Sequence, residues 1–264
     1  MIDLLYAKQQ FKSYLSQYDL TDDKIRLKVV HTYGVVEDSR QICERMALSQ
    51  EDCFLAQLIA LLHDIGRFEQ LKRFDSFEPD TMDHAAFGVH ILFKEGKIRE
   101  FVQSSQWDPI IQTAIAKHSD FKLEGIYDER TLLHAKLIRD ADKLDNCRVK
   151  IEESMETLLG TSEEEVGKTC ISPEVMEQFM RRQSIYSPTR KTKMDYWVSY
   201  FAYYFDINFK ETLQIIEEQQ YIKRQLTRVP YSNPETAAQM KDIQKILQEY
   251  FDFRLRTKMN NPLA

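Results

Sequence analysis

The sequence predicts an all-α protein, and three observations carry that expectation. Glycine and proline each occur only 7 times in 264 residues. Average usage of about 7% and 5% would supply many more, so turn-rich β architectures and glycine-cradled nucleotide folds are disfavoured. Apolar residues recur at helical intervals along most of the chain, and capping residues precede the strongest of these segments. Hydrophobic residues make up 43% and charged residues 30%, an ordinary globular composition rather than a disordered one.

Thr21 followed by Asp22 and Asp23 predicts a helix start, with acids in the first turn where the macrodipole favours them. Ile25, Val29, Val30, Val36 and Ile42 carry the apolar period from there to about Leu48. Ser49 to Asp52 forms the next cap. It launches Phe54, Leu55, Leu58, Ile59, Leu61, Leu62 and Ile65, a segment apolar almost all round and therefore central to a bundle. Gly66 offers a stop, and residues 67–80, mixing aromatics, charges and Pro79, read as an irregular loop. Helices are expected from about Met82 to Lys94, then a short one, then one from Asp108-Pro109 onward with proline at the first helical position, and one over Thr131 to Asn146.

The character changes after about Ile151. Glu152 to Glu165 is acidic, Arg181, Arg182, Arg190, Lys191 and Lys193 form a basic patch, and Tyr196 to Phe205 is rich in aromatics. Patches and runs like these read first as a solvated face and as core packing, and secondly as a cover for a site. A last helix is expected over Pro234 to Arg256, entered through Ser232-Asn233. A soft boundary near residue 150 separates a core, residues 1–150, from a helical extension, residues 151–264, expected to pack on the core and not to fold alone.

Lys+Arg 36 against Asp+Glu 42 gives a net charge of −6, which disfavours a nucleic-acid-coating protein. Met1 to Gln10 carries Asp3 and no sustained apolar core, so no secretory signal is expected. The most apolar stretch, Cys53 to Leu62, is about half the roughly 20 residues of a membrane span. Cys43, Cys53, Cys147 and Cys170 show no CxxC spacing, which fits buried thiols in a reducing compartment. A cytoplasmic location is the expectation.

All 6 histidines fall between residues 31 and 134. No pair among His84, His90, His118 and His134 has the i,i+3 or i,i+4 spacing of a one-helix metal site. A metal site here must draw single ligands from several helices, as bundle cores do. His63-Asp64 closes the most apolar helix, where an ionised aspartate is costly without a cation or strong donors beside it. Asp140 and Asp142 lie about 200° apart on a helix, so at most one points inward, and period alone leaves open which. Taken singly, each histidine also fits a structural or surface role, and His90 and His134 read that way.

The ordered set His31, His63-Asp64, His84, His118 and Asp142 resembles the HD-domain superfamily of metal-dependent phosphohydrolases, with its H…HD…H…H…D pattern. Its flanking text is similar too: His31-Thr32-Tyr33-Gly34-Val35-Val36, Leu61-Leu62-His63-Asp64-Ile65-Gly66-Arg67, Asp83-His84-Ala85-Ala86-Phe87-Gly88-Val89 and Asp140-Ala141-Asp142-Lys143-Leu144-Asp145. The resemblance covers about residues 25 to 150 and implies a helical bundle of the HD type with additional C-terminal helices. It implies that His31, His63, Asp64 and Asp142 hold one metal ion, Asp142 being preferred to Asp140 because Lys and Leu follow it. It further implies that His84 and His118 serve a second ion, with Asp64 bridging, or contact substrate.

Mixed imidazole and carboxylate ligands suit one or two divalent ions such as Mn, Fe, Co, Ni or Zn rather than Ca or Mg. Asp64 is the candidate to orient or deprotonate an attacking water. Arg67, one turn beyond His63, and Lys143, beside Asp142, are candidates to hold phosphate oxygens; both also fit as solvated charges. The expected activity is hydrolysis of a phosphomonoester or phosphoanhydride in a nucleotide-like small molecule. The glycine-tyrosine-proline extension of the superfamily's cyclic-dinucleotide phosphodiesterases is absent, which lowers that substrate class. Two alternatives stand beside it: a dinuclear-iron oxygenase on the same ligands, and a non-catalytic helical module that binds a nucleotide or partner. A small phosphorylated molecule is the expected partner. Neither a membrane nor nucleic acid is expected, and a homo-oligomer remains open.

Overall fold

The computed structural model describes residues 2–78 and 80–256. All regular structure among them is helical, as the composition requires. The chain divides into two compact units at Asp145–Asn146.

In the first unit, α1 (Leu4–Leu15) is followed by α2 (Asp23–Arg45) and α3 (Gln50–Leu62). The cap of α2 is Asp22 rather than Thr21: its carboxylate accepts from the backbone N–H of Lys24 and Ile25, while the Thr21 hydroxyl donates to Asp19. Ser49 caps α3 through the Asp52 N–H. Leu55 to Leu62 are buried without interruption, so α3 is the axis of this unit, and α2 packs along it.

Residues 67–80 are not an irregular loop throughout, and Gly66 is not a stop. Helix α4 (Ile65–Phe74) begins two residues after α3 and ends at Asp75, which takes the left-handed conformation at φ 48°. Ile65, Phe68 and Leu71 give it one buried face, a narrow stripe easily lost among Arg67, Glu69, Lys72 and Arg73. Gly66 instead permits close approach. A Cβ there would stand 2.2 Å from the His84 carbonyl oxygen and 2.6 Å from the Gly88 nitrogen, so α4 can lie against α5 (His84–Val89). A π-helical turn (His90–Lys94), α6 (Ile98–Phe101), α7 (Asp108–Lys117) and the long α8 (Glu129–Glu152) follow, the last belonging to this unit as far as Asp145.

The second unit carries α9 (Met155–Leu159), α10 (Glu163–Lys168), α11 (Pro173–Met180), α12 (Lys193–Ala202), α13 (Lys210–Glu218), α14 (Tyr221–Leu226) and α15 (Pro234–Arg256). Trp197, Phe201 and Tyr204 are fully buried and belong to the core, whereas Tyr196, Tyr200, Tyr203 and Phe205 are half-buried. The basic patch is largely matched by acids and an aromatic ring: Arg181 with Glu177, Arg182 with Glu249, Lys191 with Glu174, and Arg190 over the Tyr196 ring. All four cysteines are free thiols. Cys43 and Cys147 are buried, whereas Cys53 is half-buried and Cys170 exposed. No described helix is long and apolar enough to cross a membrane.

Candidate metal centre

The unit's helices place their polar residues at one locus by two devices. His31 and Asp142 project from the interiors of α2 and α8, whereas the other four sit at helix ends. His63 and Asp64 form the break between α3 and α4. Asp64 adopts φ −102°, ψ 17°, the sparsely used bridge region in which active-site residues often sit. It occupies the N-cap position of α4 yet makes no capping bond, which leaves its carboxylate to the cluster. His84 opens α5 and His118 closes α7.

The polar tips converge. His31 Nε2 lies 3.0 Å from Asp142 Oδ1 and 3.9 Å from Asp64 Oδ2. His63 Nε2 lies 3.5 Å from Asp64 Oδ2 and 3.9 Å from Asp142 Oδ1. The other Asp64 oxygen, Oδ1, is 3.3 Å from His84 Nε2 and 3.7 Å from His118 Nε2. Asp64 therefore shows one oxygen to His31 and His63 and the other to His84 and His118. Two sets of ligand atoms, His31–His63–Asp142 and His63–Asp64–His118, are each close enough to hold a metal ion.

Second contacts fix which nitrogen faces inward. His63 Nδ1 donates to the Ala60 carbonyl and His118 Nδ1 to the Ile115 carbonyl, each at 2.7 Å. His31 Nδ1 donates to Asp145 Oδ2 at 2.7 Å. Nε2 of each ring is thereby turned to the centre, that of His118 lying 3.1 Å from His84 Nε2, the arrangement in which a metal-binding histidine is oriented by a carbonyl or carboxylate behind it. His31 Nε2 and His63 Nε2 are buried and make no hydrogen bond, an expense that native interiors avoid unless another partner is intended. Lone pairs aimed at carboxylate oxygens need a positive centre between them. The donors are imidazole and carboxylate, the set that borderline divalent ions prefer, so these residues fit such an ion.

The electrostatics agree. Burial alone would raise the Asp64 carboxyl, but the Lys28 ammonium and the His63 and His118 rings hold it well below the ordinary carboxylate range. Asp142 is likewise held low against its burial by His31. Burial holds His84 neutral, well below the usual imidazole range. For His31, burial and Lys28 push down, yet Asp142 and Asp145 prevail and its pKa is raised.

Arg67 is largely buried: its Nη2 donates to His84 Nε2 at 3.0 Å, its Nη1 to the Phe77 carbonyl at 3.1 Å and to Gln70, and its Nε is 3.9 Å from Asp64 Oδ1. Lys143 is buried on α8, the residue after Asp142. Asp140 is fully buried whereas Asp142 keeps 23% of its side chain exposed, so burial alone favours Asp140; the 3.0 Å approach to His31 nevertheless belongs to Asp142. His90 is exposed beside Glu95, and buried His134 pairs with Asp52, both apart from the cluster.

Two participants escaped the sequence reading. Lys28 places its Nζ 2.6 Å from Asp64 Oδ2, and Asp145 backs His31. Each stands three residues from a candidate ligand, Lys28 before His31 and Asp145 after Asp142, the spacing that shares a helix face.

A helical unit that gathers four imidazoles and two carboxylates at one locus could hold a metal ion. Residues 29–147 match the family model of the HD domain. This part of the chain is similar to the HD domain, a likeness that points to the superfamily of metal-dependent hydrolases. Comparison with curated proteins and with solved structures returned no match.

Proposed function

We propose that this protein is a metal-dependent phosphohydrolase acting on a phosphomonoester or phosphoanhydride of a nucleotide-like small molecule. The observation that carries the reading is the pair of buried, bare Nε2 atoms of His31 and His63 facing Asp64 and Asp142. His31, His63, Asp64 and Asp142 would hold one divalent ion, and His84 and His118 would serve a second or face the substrate. The ion, once bound, supplies Lewis acidity and a water acidified toward neutral pH.

The chain's own residues do the rest. Asp64, kept ionised by Lys28 and the histidines, orients the attacking water or accepts its proton. Arg67 presents a planar fork of donors suited to phosphoryl oxygens, and Lys143 is the second candidate for that contact. Burial of the ring tips excludes bulk water, which strengthens each electrostatic contact.

The test is turnover. The full chain loaded with Mn2+ is screened against nucleotides and general phosphatase substrates, with His63→Ala and Asp64→Asn as controls. Phosphate release by wild type that both substitutions abolish supports the reading. Release indifferent to both, or none across the screen, overturns it.

A further inference from the structure

Lys28 is the charged group of the site with no assigned role. It lies on α2, one turn before His31, with its Nζ 2.6 Å from Asp64 Oδ2. Its side chain is 16% exposed against 3% for Asp64, so it reaches the carboxylate from the more open side. The ammonium also stands 5.8 Å from the centre of the Phe77 ring, and the Arg67 guanidinium stands 6.0 Å from the same ring. Phe77 belongs to the segment after α4, which is tied down over this region. Arg67 donates to the Phe77 carbonyl, Gln70 Nε2 donates to the Glu78 carbonyl at 2.8 Å and to Thr81 Oγ1 at 2.7 Å, and Lys24 donates to Asp75. Two cations and an aromatic ring thus share one wall of the centre, with Lys28 against Oδ2 and Arg67 nearer Oδ1.

The geometry points to Lys28 as a second phosphate-binding cation beside Arg67, one that donates to the substrate's phosphoryl oxygens when Asp64 holds a divalent ion. The inference rests on the phosphohydrolase reading and adds a specific residue to it. Asp64 Oδ2 is the oxygen that His31 and His63 face, so an ion held by those rings competes with the ammonium for it. Like charges repel at that distance, and the flexible four-carbon stem of lysine lets the head move without the helix moving. The nearest stabilising partner for the displaced ammonium is then an anion at the mouth of the site, beside Arg67. The Phe77 ring offers a π face to whatever cation remains against it.

This predicts changes of opposite sign from one substitution. Titration calorimetry at neutral pH measures Mn2+ binding to the full chain, then inorganic phosphate binding to the Mn2+-loaded chain. In Lys28→Met the competing ammonium is gone, so Mn2+ binds at least as tightly as in wild type. Phosphate binding weakens by about tenfold or more, the loss of one charge-assisted hydrogen bond. In Lys28→Arg, which keeps a cation, phosphate affinity stays within about threefold. The inference is overturned if Mn2+-loaded Lys28→Met binds phosphate as wild type does, or if Mn2+ binding falls with the substitution. Lys28→Arg, scored the same way, decides the matter if Lys28→Met fails to fold: phosphate affinity reduced by about tenfold or more in Lys28→Arg overturns it. Wild type that takes up no Mn2+ removes the functional reading itself and this inference with it, whereas normal uptake with unchanged phosphate affinity removes this inference alone.

Discussion

Asp145 Oδ2 stands 2.7 Å behind His31 Nδ1. A carboxylate only accepts, so this contact keeps the proton on Nδ1 and turns Nε2 toward Asp142 and Asp64. Partners of this kind raise the basicity of a histidine ligand as well as orienting it.

Asp145→Asn should therefore lower Mn2+ affinity by about 10–100-fold, measured by titration calorimetry. Unchanged affinity would show that the packing of α2 alone orients the ring.

Gly34 makes that contact possible. A Cβ at Gly34 would fall 1.9 Å from Asp145 Oδ1, although glycine inside a helix costs about 1 kcal/mol relative to alanine. Gly34→Ala should nonetheless destabilise the chain by about 1–3 kcal/mol through overpacking and weaken Mn2+ binding, read from urea midpoints and calorimetry. A gain in stability would mean that Asp145 swings aside freely.

Metal should stabilise the fold. Because the ligand cluster exists only when the helices are assembled, Mn2+ at about 100 times its dissociation constant should add about 2.7 kcal/mol. The melting temperature should rise, and a chelator should return it. His31→Ala should lose the rise, and a rise that persists there would place the stabilising ion elsewhere.

His134 predicts a pH dependence remote from the metal centre. It is fully buried beside Asp52, and burial lowers its pKa despite the carboxylate. As pH falls below about 6.5 the unfolded chain binds a proton that the folded histidine does not. Its contribution to stability is therefore present above that pH and declines toward the lowered folded value, by at most about 1.4 kcal/mol per pH unit. His31, whose pKa is raised, works in the opposite direction, so the measurement is wild type against His134→Gln in urea titrations from pH 7.5 to 5. The variant should lose less stability on acidification; parallel curves would contradict the assignment.

Most of the fold was legible because its signals are local. The cap at Ser49, the unbroken apolar run of α3 and the proline opening α7 each act within one turn. Helix α4 was missed because its apolar stripe is only three residues wide and Gly66 mimics a stop. The glycine's purpose, contact with His84 and Gly88, lies some twenty residues away and has no local trace. The ordered histidines and aspartates stood out as a pattern, but Lys28, Asp145 and the role of Gly34 depend on which helices neighbour one another. A lysine one turn from a histidine is indistinguishable in sequence from any solvated charge.

The placement of ligands on helix interiors or helix ends has a mechanical consequence. His31 and Asp142 are braced on both sides by continuous backbone hydrogen bonding, so one side of the cluster is stiff. Asp64, His84 and His118 hang from termini, where the ladder of bonds gives out and fraying is easiest. The cluster thus has a fixed jaw and a yielding one. Breathing at the ends of α4, α5 and α7 would open it to an incoming ligand while α3, buried from Leu55 to Leu62, stays intact.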